Sequence, residues 1–142
     1  MQFVKPDEEA LGEFARSYPK NTPVVMLNLL RFREHAEYPA EVQQEPCSGG
    51  EAFMRYGAGV APMIKDIGGQ QLWQGSQASM LIGPQDKQWH LVVLVKYPSA
   101  QVFLDMVSSP EYQKIVIHRN AALEDSRLIA HRELQVLTTG MS

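Results

Sequence analysis

Apolar positions along the chain alternate between short strand-like runs and helical stripes. Asp7 is placed to cap a first helix whose Leu11, Phe14 and Ala15 form one apolar stripe, ending near Ser17–Pro19. VVMLNLLRF at 24–32 then reads as a strand apolar on both faces: Met26, Asn28 and Leu30 share one face, Val25, Leu27, Leu29 and Arg31 the other. Residues 33–47, REHAEYPAEVQQEPC, keep no apolar period and predict a long surface loop, a length often used for lids and interface arms. Ser48-Gly-Gly-Glu51 matches the capping box, and the helix behind it carries Phe53, Tyr56, Val60, Ile64 and Ile67 on one stripe, with Gly68 as its stop. A second strand is expected over 70–82, bent at Gly75, and a central one over Trp89–Tyr97, again apolar on both faces. Ser99 and Ser109 each cap a following helix, and a last strand is expected over Arg127–Leu137.

The order is a helix, then β–α–β–β–α–β. That is the ferredoxin-like α+β arrangement, a four-stranded antiparallel sheet with helices on one face. One domain over residues 1–142 is expected, with 1–20 as an N-terminal helical extension. The helices cover only one face of a sheet whose inner strands are apolar on both. The second face therefore predicts a partner sheet, most simply an identical subunit, giving a homodimeric α+β barrel.

Composition narrows the function. With 44% apolar and 20% charged residues and a net charge of −3, neither nucleic acid nor an anionic membrane is expected as partner. No apolar leader opens the chain and no run nears the ~18 residues of a membrane helix, so a cytoplasmic setting is expected. Cys47 is the lone cysteine, which rules out an internal disulfide, and its loop offers no evident basic neighbour to activate it. His35, His90, His118 and His131 show no metal-ligand spacing, so no metal is expected.

PVVMLNLLRFRE at 23–34, SGGEAFMRYG at 48–57 and KYPSAQVFLDMVSSPEYQKIVIHRNAALEDSRLI at 96–129 resemble the family called domain of unknown function 1330. The resemblance spans about residues 23–135. It implies the dimeric α+β barrel superfamily, which also holds cofactor-free monooxygenases, isomerases and haem-binding enzymes. Fold and dimerisation follow from it, and the reaction does not.

Six residues are candidates for chemistry. His118, late in a helix, is a candidate proton acceptor, and Arg119 beside it a fork for a carboxylate or enolate oxygen. The alternatives are an ion pair from Arg119 to Glu124 or Asp125 and a His118 satisfied at the helix end. Asn28, a polar group among apolar neighbours, either ties a loop or holds a ligand oxygen; Tyr56 either packs or aims its hydroxyl into the same pocket. Trp89 packs or walls a pocket for a flat ligand, and Arg31 binds ligand or anchors the sheet edge.

Three functions fit this set. The first is a homodimer binding a small organic acid or oxygen-rich ring, with cofactor-independent isomerase or monooxygenase chemistry. The second is a non-catalytic binding, sensing or accessory dimer. The third is haem binding, for which Asn28, Trp89 or Trp73, and His118 supply the residue types.

Overall fold

Side-chain caps set the helix starts. In the computed structural model, which describes residues 2–134, the Asp7 carboxylate accepts the Glu9 and Ala10 amides at the head of α1 (Glu8–Ser17). Ser48 and Glu51 close a reciprocal box at 3.0 and 2.9 Å before α2 (Gly49–Asp66). Ser99 accepts the Val102 amide before α3 (Ala100–Val107), and Ser109 that of Tyr112 before α4 (Pro110–Ala122). Beyond the C-cap Ile67, Gly68 adopts a φ of +83°, a conformation that a Cβ disfavours.

The strands β1 (Val24–Phe32), β2 (Gln70–Gly75), β3 (Leu91–Tyr97) and β4 (Leu123–His131) pair antiparallel in the order β2-β3-β1-β4. With α2 between β1 and β2 and α3–α4 between β3 and β4, this is the expected ferredoxin-like α+β fold behind a leading helix.

Four boundaries differ from the sequence expectation. β2 stops at Gly75 instead of 82, and the chain to β3 is drawn together at its neck by Gln77. The Gln77 amide donates to the Trp89 carbonyl (3.1 Å), and its side chain bonds the Lys87 carbonyl (3.1 Å) and the Trp89 amide (3.0 Å). Those bonds take Trp89 out of the ladder, so β3 begins at Leu91. β4 begins at Leu123, four residues before the expected Arg127, because α4 runs into it with no glycine or proline between them. β4 ends at His131, so 132–134 are not the strand expected there, while the expected strand residues 135–137 lie outside the described residues.

Strand periodicity sorts the side chains. Val24, Met26 and Leu30, with their neighbours Val95 and Tyr97, lie under the helices in two clusters that take in Val60, Phe103, Met106 and Tyr112, and Ala52, Ala122 and Leu123. Leu27, Leu29, Val92 and Leu94 occupy the opposite face and belong to neither cluster. Around them Trp73 is 54% and Ile129 42% exposed. In the β2–β3 connection Leu81 and Ile82 stand out at 88% and 95% exposure.

A buried carboxylate joins the outer strand to two remote segments. Asp125, 1% exposed, accepts the Phe3 amide at 2.9 Å, the Lys87 ammonium at 3.0 Å and the Arg127 guanidinium at 2.7 Å. Ser126 Oγ adds a bond to the Phe3 carbonyl at 2.8 Å.

Gly49 has the closest surroundings of the described glycines. A Cβ there would stand 2.2 Å from the Arg33 carbonyl oxygen and 2.6 Å from that of Ala122. Both are backbone atoms at the meeting of β1, α4 and α2, so neither can swing away. Gly49→Ala is expected to destabilise the fold by at least about 2 kcal/mol, read as a lowered midpoint in urea unfolding.

Candidate functional site

The six sequence candidates do not converge. Arg119 is 8% exposed, and its Nη1 donates to the Val4 carbonyl at 2.7 Å, which pins the N-terminal segment instead of pairing with Glu124 or Asp125. The hydroxyls of Tyr56 and Tyr112 bond each other at 2.8 Å within the core beneath the helices. Burial first, and then Tyr112 beside it, push the Tyr56 phenol well above its ordinary value, so it stays protonated. The Asn28 amide reaches the Met26 and Val93 carbonyls only at 3.5 Å, the outer limit of a hydrogen bond.

His118 turns to the 33–47 loop. Its Nδ1 lies 2.7 Å from the Tyr38 hydroxyl, which accepts from Arg55 Nη1 at 3.2 Å. The same Arg55 nitrogen is 3.2 Å from Cys47 Sγ, so the cysteine does have a basic neighbour, contrary to the sequence expectation. Cys47 and Arg55 are eight residues apart, and the chain turns between them into the head of α2. Burial, and then the Arg55 charge, lower the His118 pKa and favour the neutral ring.

Trp89 carries the Arg127 guanidinium 5.4 Å from its ring centroid, and the same guanidinium lies 4.9 Å from the Phe3 ring. Asn28, Trp89 and His118, the residue types weighed for haem, therefore contact three separate sets of partners. Among the described residues no group of three or more His, Cys, Asp or Glu is placed to hold a metal ion.

Arg31 is the candidate that reaches open space. It lines a cleft of about 800 Å³ with Phe32, Arg33, Glu34, His35, Glu37, Ser48, His90 and Glu124, where β1 leaves the sheet. This volume falls within the roughly 300–1,000 Å³ of small-ligand sites. Arg31 Nε is held by Glu124 at 2.8 Å, and Arg33 Nη1 lies 3.4 Å from Glu37. Arg33 Nε is buried and has no hydrogen-bond partner among the described residues.

The His90 ring stacks on Phe32 with centroids 5.6 Å apart, and its Nδ1 accepts the Phe32 amide at 2.9 Å. That bond places the proton of the neutral ring on Nε2, which makes His90 a donor. The cleft thus combines a flat aromatic wall, two guanidiniums and a fixed imidazole donor.

A family model described as Domain of unknown function (DUF1330) matches residues 42–132. The chain belongs to that family. Among solved structures, this DUF1330 chain is similar to RPA0582 of Rhodopseudomonas palustris, a protein of unknown function. The two are 39% identical with a TM-score of 0.87, over 96% of this chain and 100% of that one.

Two more distant likenesses extend to the fold alone. A dabb family protein with a ferredoxin-like fold from Mesorhizobium loti is 12% identical with a TM-score of 0.50, over 80% of this chain and 98% of that one. A hydroxynitrile lyase from Passiflora edulis is 10% identical with a TM-score of 0.51, over 82% of this chain and 98% of that one. No curated protein matches the DUF1330 chain in sequence. None of its described helices is long and apolar enough to cross a membrane.

Proposed function

We propose that the protein is a homodimer, joined through the open face of its sheet, that binds a small organic acid in the Arg31–Arg33 cleft. The observation that carries the ligand class is the pair Arg31 and Arg33, which line one cleft with the His90 donor, so that an incoming carboxylate would meet two guanidiniums and an imidazole N–H. Glu34, Glu37 and Glu124 line the same cleft and limit how much further negative charge it accepts, which favours a monoanion over a phosphate ester.

Binding is favoured over catalysis for a specific reason. His118, the candidate proton acceptor, is engaged with Tyr38, and Arg119, the candidate fork for an enolate or carboxylate oxygen, with the Val4 carbonyl. The dimer is supported by the row Leu27, Leu29, Val92 and Leu94, which lies outside both core clusters, and by the resemblance to dimeric α+β barrels.

Native mass spectrometry of freshly purified protein, repeated after denaturation, tests both halves. The expected result is twice the 16.0 kDa chain mass plus a small adduct lost on denaturation. Arg33→Gln should keep the dimer and lose the adduct, with affinity for that acid down about 10- to 100-fold. A bare dimer whose Arg33→Gln variant binds carboxylates as the parent does would remove the cleft from the reading.

A further inference from the structure

We infer that residues 36–47 form a pH-operated strap, held against α2 and α4 by the Tyr38 hydroxyl between His118 and Arg55. The inference concerns regulation of the proposed cleft and rests on that reading only for its consequence; the fastening is visible in the geometry itself.

The backbone of the loop is pinned at both ends. The Arg33 amide donates to the Ala122 carbonyl at 2.8 Å, the Glu37 amide to that of Ala121 at 2.9 Å, and the Ala36 amide to that of Cys47 at 2.9 Å. Among the described residues no hydrogen bond ties 39–46 to the helices; the Val42 amide bonds only the nearby Pro39 carbonyl. The side chains that bracket this stretch are Tyr38 and Cys47, and both are gripped by Arg55.

Tyr38 has one proton to give. Its oxygen accepts from Arg55, and in the Nε2–H tautomer of neutral His118 that proton goes to Nδ1 across the 2.7 Å bond. A proton on Nδ1 would place two cationic donors on one phenol oxygen and leave the phenol proton without its acceptor. The titratable and charged groups facing His118 are Tyr38 from the strap and Arg55 from α2, with Cys47 and Glu51 beyond them on Arg55. The nearest charge is thus positive, so it opposes protonation of the closed form.

The sign follows. His118 in the closed form sits below the ordinary value of 6.5, so the open form takes the proton more readily. Closure is therefore complete above about pH 6.5 and is lost as the pH falls below it. Because Glu37 and His35 wall the cleft and adjoin Tyr38, opening loosens that wall and releases ligand under acid conditions.

Amide exchange by NMR on the ligand-free dimer tests the strap apart from the cleft. Corrected protection of the Ala36 and Glu37 amides should fall by up to about tenfold per pH unit below pH ~6.5, while that of α2 amides stays constant. His118→Asn, which keeps an acceptor oxygen but does not titrate, should hold protection down to pH ~5.5. Tyr38→Phe should lower it at every pH. Constant wild-type protection across this range, or an equal fall in His118→Asn, would overturn the inference. Should His118→Asn fail to fold, full protection in Tyr38→Phe would overturn it by itself.

Discussion

Leu94→Asp is expected to convert the proposed dimer to a folded monomer. Leu94 lies mid-strand in β3, flanked by Leu27 of β1 and Trp73 of β2, and takes no part in either cluster under the helices. A carboxylate there leaves the helix-side core intact. In a face-to-face dimer it would enter an apolar interface twice, once from each subunit. A weakening of at least about a thousandfold, about 4 kcal/mol, is the expected result by sedimentation velocity across a dilution series. Circular dichroism should show unchanged secondary structure. A variant that still sediments as a dimer would place the interface elsewhere.

Asp125→Ala is expected to be the most destabilising single change outside the apolar core. It would leave the Phe3 amide without its acceptor and set Lys87 and Arg127 side by side without a counter-charge. Both cations keep some access to water, so the loss should fall at the low end for broken buried pairs, about 3 kcal/mol, or roughly 10 °C in Tm. Burial alone would raise the Asp125 pKa, but the Phe3 amide, Lys87 and Arg127 outweigh it and hold the carboxyl at about 2, against an ordinary 3.8. Its stabilisation is therefore complete above pH ~4 and is lost as the pH falls from there towards about 2. The acid limb of the wild-type stability curve should be steeper in that window than that of Asp125→Ala.

Elements were legible where the sequence punctuates them. Asp7, Ser48, Ser99 and Ser109 each mark a helix start with a side chain able to accept an amide, and all four do so in the structure. The junction between Ala122 and Leu123 carries no such mark, so β4 was expected four residues late and Asp125 was weighed only as a partner for Arg119. The candidate site was less legible because its parts meet through topology. Arg31 stood out as a charge ending an apolar strand, but Arg33 opens the expected loop and His90 sits inside the expected strand Trp89–Tyr97, and nothing links the two until β1 and β3 pair. His118 lies late in α4. What it would face depended on a loop with no periodic signal of its own.

The outermost strands decide how association stops. β2 is only six residues long and irregular between Gln71 and Trp73, and it presents Gln71 and Gln74 in place of a smooth ribbon. Such a rim gives an incoming strand little to continue. At the opposite rim, residues 3 and 4 are fastened beside β4 by Asp125, Ser126 and Arg119. With both flanks blunted, the proposed face-to-face pairing leaves no ready strand edge for a third copy, so association by that route would stop at two.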